Sequence, residues 1–189
     1  MSGIGHNGGP SLERGFGFRK LAWGKARKSL LKTLPIEIVR VRVARAKRLG
    51  IDYTTYASIR ATSGHDVVAF LFSGNALGLA SSRVALSLDT ADRLAVLDGA
   101  ADRLAAVYAP AHPAAILAAN VGVLDHADAA PRFTESWSAM RDRVCGIVRD
   151  RGLPPDGVVL VSATAVEREW CAAGKLAGII PAERFFALQ

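Results

Sequence analysis

The chain has 189 residues, 50% hydrophobic and 22% charged, a length and composition that suit one folded domain with a small appendage and exclude wholesale disorder. Two cysteines exclude a disulfide scaffold and a four-cysteine zinc site; no run of about 18 apolar residues marks a membrane span, and the polar start, Met1 to Pro10, lacks the apolar core of a secretory signal, so a cytoplasmic protein is expected. Charge is divided unevenly: residues 1–60 hold 13 Lys+Arg against 3 Asp+Glu, a net of +10, whereas residues 61–189 hold 11 against 14, a net of −3.

Met1 to Gly17 contains six glycines and Pro10, and residues 1–17 are expected to form a flexible tail. Phe18 to Thr33 reads as a helix, weakened by Gly24, with Trp23, Leu30, Leu31 and Leu34 as its apolar side. Arg19, Lys20, Lys25, Arg27, Lys28 and Lys32 fringe it. Pro35 suits the first turn of the next helix. Ile36, Val39, Val43 and Ala46 then recur at i, i+3, i+7 and i+10 as one stripe. The alternation from Arg40 to Val43 also fits a short strand, but Ala44 to Leu49 continues in good helix formers and favours helix. Gly50 ends it. Asp52 caps a helix from about Tyr53 to Thr62, stopped by Gly64.

Residues 18–63 thus form a basic helical segment, and 64–189 an alanine-rich body. Asp66 to Phe72 is a continuous apolar run that reads as a buried strand, broken by Ser73-Gly74-Asn75. Asp89 to Leu97 predicts a short helix, Leu104 to Tyr108 a second strand ended by Pro110, and Pro113 to Ala119 a helix. Asp125-His126-Ala127-Asp128 offers metal-binding residue types but lacks a second cluster at ligand spacing and reads as a surface turn. Thr134 to Arg151 predicts the longest amphipathic helix, with Trp137, Met140, Val144 and Ile147/Val148 as its stripe. Gly152 and Pro154-Pro155 end it.

Val158 to Val161 is the clearest strand after the first. Thr164 to Glu167 is a capping box opening a helix to Ala173. Glu167, Arg168 and Glu169 read as a solvated face beside Trp170. Pro181 to Leu188 predicts a last helix whose Phe185 and Phe186 dock onto the body or another subunit. Cys145 and Cys171 read as buried structural thiols. Strands separated by helices predict an α/β fold, a small open and mostly parallel sheet flanked by helices. An α+β fold is the alternative if the alanine-rich stretch around Leu104 is helical.

The window Arg42 to Ala61 carries the most specific pattern. It resembles the DNA-binding helix-turn-helix in its spacing: small Ala46 where a second helix crosses, Gly50 at the turn, and apolar Leu49, Ile51, Tyr56 and Ile59 facing inward. Arg45 departs from it, standing where an apolar residue is preferred. The same residues also resemble the helix pair of a ribbon-helix-helix protein, with Leu34 to Ile38 as the ribbon. The resemblance implies that Tyr53, Thr54, Thr55, Ser58 and Arg60 face outward to nucleic acid, with Arg40, Arg42, Arg45, Lys47 and Arg48 near phosphates. The leading expectation is therefore a nucleic-acid-binding protein, of DNA rather than RNA, without cofactor, metal or catalytic residues, and with a second copy of the chain as a further partner.

A second expectation rests on the strand ends. Ser73, Asn75, His112, Ser162 and Thr164 would cluster beyond the carboxyl ends of parallel strands, where open α/β sheets bind ligands, and would suit a phosphate or carboxylate metabolite. No GxxxxGK[ST] or GxSxG pattern occurs. A third places Trp23, Leu30 and Leu31 with their basic fringe in an anionic membrane interface or an assembly contact.

Overall fold

A computed structural model describes residues 34–187, and the expected tail and the helix of residues 18–33 lie outside them. Residues 40–187 belong to one compact unit, and residues 34–39 to the unit preceding it. In chain order the elements are α1 (Ile36–Arg48), α2 (Tyr53–Ser63), β1 (Ala69–Ser73), α3 (Leu88–Ala95), β2 (Asp102–Val107), α4 (Pro113–Ala119), β3 (His126–Ala129), α5 (Trp137–Arg149), β4 (Val158–Ser162), α6 (Glu169–Gly174), β5 (Gly178–Pro181) and α7 (Ala182–Ala187).

The five strands make one sheet in the order β3-β2-β1-β4-β5, and every pairing is parallel. This is the α/β architecture, and Leu104 lies in strand β2 rather than in a helix. Handedness explains the layering. Parallel crossovers are right-handed, so a chain stepping outward from β1 to β3 lays its helices on one face, and on returning to step the other way it lays them on the opposite face. The two core clusters follow that division. Phe70, Phe72, Ala105, Val107, Val159 and Val161 point to the face covered by residues of α1, α2, α3, α4 and α7. Ala69, Leu71, Leu104, Ala106, Val158 and Leu160 point to the face covered by α5 and α6. Both faces of β1 and β4 are buried along their whole length, which is why those strands read as unbroken apolar runs.

Two strands escape sequence expectation. His126–Ala129 is strand β3, not a turn, and Gly178–Pro181 is strand β5, in a stretch to which the sequence assigns no element. Both are edge strands, where polar, glycine and proline residues are tolerated because only one side is paired. Leu34 to Ile38 forms no ribbon, since α1 begins at Ile36. The stripe expected along α1 is largely unburied: Ile36 is 62% and Val43 45% exposed, and full burial begins at Ala46. On α5, Met140, Val144, Ile147 and Val148 are buried, whereas Trp137, at the first position of the helix, is 52% exposed. Ser136 caps that helix by accepting from the Ala139 N–H, so it starts later than Thr134. Cys145 and Cys171 are half-buried free thiols, and burial pushes the Cys171 thiol up.

Candidate nucleic-acid interface and the carboxyl edge of the sheet

The α1–α2 pair has the internal packing that the window from Arg42 to Ala61 requires. Ala46, Leu49, Ile51, Tyr56 and Ile59 are all buried against the sheet. Gly50 makes the turn at φ 62°, a left-handed conformation that other residues adopt only under strain. Asp52 caps α2, accepting from the Thr55 N–H, and Gly64 closes the helix at φ 77°.

Arg45, the residue out of place in the pattern, is half-buried, and its position is explained by Asp66. Its Nε donates to Asp66 Oδ2 at 3.1 Å and its Nη2 to the Val67 carbonyl at 2.7 Å. The Tyr56 hydroxyl donates to Asp66 Oδ1 at 2.7 Å, and Arg60 Nη1 lies 3.4 Å from the same oxygen. Burial raises the Asp66 pKa, but the Tyr56 bond and the two guanidiniums outweigh it, so the carboxyl sits below its ordinary value. One carboxylate thus clamps both helices to the start of β1.

That clamp sorts the expected contact residues. Arg45 and Arg60 are engaged inward by Asp66. The Thr55 hydroxyl donates to Asp52 at 2.6 Å, and Tyr53 packs half-buried against the core, so these four do not project outward as expected. Arg42 is half-exposed. Arg40, Lys47, Arg48, Thr54 and Ser58 are exposed. On α1, Arg40, Lys47 and Arg48 fall at i, i+7 and i+8 on the face away from Ala46 and Leu49. On α2, Thr54 and Ser58 share an outward stripe with exposed Ala61 and Thr62.

The carboxyl edge of the sheet brings together four of its five expected residues, around one that the sequence hides. The chain reverses direction between β1 and β4, so the loops after these strands flank the switch point. Glu167, expected in a solvated face, is fully buried there. Its Oε1 accepts from Asn75 Nδ2 at 2.8 Å and from the Tyr108 hydroxyl at 3.1 Å. Its Oε2 accepts from the N–H groups of Ala163 at 2.7 Å and Thr164 at 2.9 Å. The Glu167 N–H donates back to Thr164 Oγ1 at 3.3 Å, completing the capping-box exchange, although the helix proper starts only at Glu169. Burial, then the Glu167 charge, pushes the Tyr108 phenol well above the ordinary tyrosine value.

Ser73 Oγ accepts from the Ala76 N–H at 3.1 Å, and the buried Ser162 Oγ has no hydrogen-bond partner among the described residues. His112 stands apart, exposed at the start of α4, with no bond to the cluster. The backbone N–H groups that would cradle a phosphate or carboxylate are thus already filled by the chain's own carboxylate. No protein-family model, no curated protein and no solved structure matches the chain.

Proposed function

We propose that the chain is a cytoplasmic nucleic-acid-binding protein that grips duplex DNA with the α1–α2 pair. The observation that supports this reading is the outward face of α1, where Arg40, Lys47 and Arg48 are exposed, with exposed Thr54 and Ser58 on the outward stripe of α2. Cations on such a face contact phosphates, and small hydroxyl side chains on the second helix approach base edges. Arg45 and Arg60, held by Asp66, set the angle of the pair rather than touching the ligand. The net of +10 over residues 1–60 adds a long-range attraction to polyanions. The alternative of an anionic metabolite at the carboxyl edge is weakened by Glu167, whose charge occupies the donors such a ligand needs.

The test is fluorescence anisotropy of the full chain against random duplex DNA, single-stranded RNA and heparin at two salt concentrations, beside a Lys47→Glu/Arg48→Glu variant. Duplex binding that falls steeply with salt and is lost in the variant supports the reading. Unchanged binding in the variant removes the α1–α2 pair from the interface. Tighter binding to single-stranded RNA redirects the assignment to RNA. Light scattering of the free and bound protein reports whether a second copy joins.

A further inference from the structure

We propose that His126, Asp128 and Asp150 form a binding site for a divalent transition cation, with Zn²⁺ the ion that their chemistry suits best. The site lies beyond the nucleic-acid reading and does not depend on it. A ring nitrogen of His126 and one carboxylate oxygen from each aspartate all lie within 4.8 Å of one another.

The fold assembles this trio from two distant stretches. Side chains alternate along a strand, so His126 and Asp128 share a face of β3. Their partners across the ladder, Leu104 and Ala106, belong to the core beneath α5, so that face is the α5 face. Asp150 is the residue at which α5 ends, and it meets them there. The second aspartate lies 22 positions on from Asp128, which is why a scan for closely spaced ligand clusters passes over it.

A second observation points to an unmet bond. His126 Nε2 is buried and has no hydrogen-bond partner among the described residues, a rare state for a buried polar atom in a native protein. Asp128 is oriented by accepting from the Ala129 N–H at 2.6 Å through Oδ1. The nearby Arg143 is bonded to Glu135 at 2.7 Å and also feels the charge of Asp128.

The donor set selects the ion. One imidazole and two carboxylates give three protein ligands, and water fills the fourth position of a tetrahedral Zn²⁺ site. Ca²⁺ wants six to eight oxygens, and Mg²⁺ a near-octahedral oxygen shell, which this trio does not supply. Ligands about 2.0–2.2 Å from zinc sit roughly 3.3 Å apart, within reach of a trio whose atoms lie no more than 4.8 Å from one another. Asp150 is exposed and can swing to close it.

The experiment titrates the chelator-treated full chain with Zn²⁺ by calorimetry, and with Co²⁺ by visible absorption, for the protein and for His126→Gln and Asp150→Asn. Asp150 lies at the exposed end of α5, so its variant keeps the fold even if the His126 change perturbs β3; circular dichroism checks both. The expected result is one Zn²⁺ per chain, a Co²⁺ spectrum of tetrahedral intensity, and a thermal midpoint raised by Zn²⁺. Each variant should weaken binding by about ten-fold or more. Mg²⁺ and Ca²⁺ should leave the midpoint unmoved. Absence of stoichiometric binding overturns the proposal, and so does Zn²⁺ affinity unchanged in Asp150→Asn.

Discussion

Arg103 and Asp125 grip each other by a two-point fork, Nε to Oδ2 and Nη2 to Oδ1, both at 2.9 Å. The same Asp125 Oδ2 accepts from the Arg103 N–H at 2.8 Å, and the Asp125 N–H donates to the Arg103 carbonyl at 2.9 Å. Arg103 is only 4% exposed and extends from β2 into the amino-terminal side of the sheet. The pair therefore fixes the loop entering β3 against β2. Replacing Asp125 by alanine strands a buried guanidinium, and should destabilise the fold by about 3–5 kcal/mol, read by urea denaturation. A loss below about 1 kcal/mol would mean that Asp98, 3.2 Å from Nη2, replaces it.

Acid should weaken the fold through the same groups. Burial raises the Asp125 pKa, but the Arg103 bonds outweigh it, and the folded carboxyl sits below its ordinary value, as does that of Asp66. A depressed folded pKa contributes stability that is present above the unfolded value, about 3.9, and is lost as pH falls through the folded one. A pH series of denaturation midpoints should thus fall below about pH 4, and less steeply in Asp66→Asn.

Alkali should act through Tyr108. Its folded pKa is raised, so the stability it contributes is complete below the unfolded value of about 10 and is lost as pH rises beyond it. Glu167→Gln removes the charge beside the phenol and exchanges two acceptor sites for a donor. We expect a loss of about 1–3 kcal/mol and a phenol titration that moves toward the ordinary value, followed by ultraviolet difference absorbance. An unmoved titration would leave burial as the whole cause.

Two glycines make an internal control for packing. A Cβ on Gly174 would lie 2.5 Å from Val144 Cγ1 and 3.3 Å from Leu176 Cδ2, where α6 crosses α5. Gly174→Ala should cost about 1–3 kcal/mol. A Cβ on Gly146, inside α5, would meet no atom of the described residues within 4 Å, so Gly146→Ala should stabilise by roughly 0.4–1 kcal/mol. Equal effects at the two sites would show that α6 moves away from α5 freely.

For the nucleic-acid reading, the salt dependence carries the count of phosphate contacts. Losing two contacts with Lys47→Ala/Arg48→Ala should lower the slope of log K against log salt by about 1.8. Thr54→Ala/Ser58→Ala should leave the slope alone and alter preference among duplex sequences. A slope that is unchanged by the lysine–arginine pair would place the phosphate contacts on other cations.

The central sheet is legible in the sequence because β1 and β4 are buried on both faces and contain almost nothing but apolar residues. The helix pair is legible because Gly50, Asp52 and Gly64 each do a backbone task that few other residues do as well. The edges are not legible, because His126-Ala-Asp-Ala and Gly-Ile-Ile-Pro181 owe their strand state to a neighbour, and not to propensity. Glu167 is hidden for a different reason. Its neighbours Arg168 and Glu169 are solvated, and only the fold brings the Ala163 and Thr164 N–H groups, Asn75 and Tyr108 together as donors that make burial of the carboxylate favourable. The T-x-x-E spacing was the one signal, since it implies the reciprocal bonds that form. Arg45 and Arg60 look like ligand contacts until Asp66 is seen between them.

The parallel sheet order also shapes how the chain can acquire its structure. β1 sits at the centre, yet one of its two neighbours is β4, whose Val158 pairs with Ala69 about ninety positions later. During synthesis, β1, β2 and β3 can form ahead of β4, but one margin of β1 stays bare until the last quarter of the chain emerges. That margin is apolar on both faces, a template for pairing with another nascent chain. Phe185, whose ring meets both Phe70 and Phe72, arrives later still. A chain stopped before β4 should therefore aggregate on the ribosome rather than persist as a shorter domain, and slow translation through the middle of the message would lengthen its exposure.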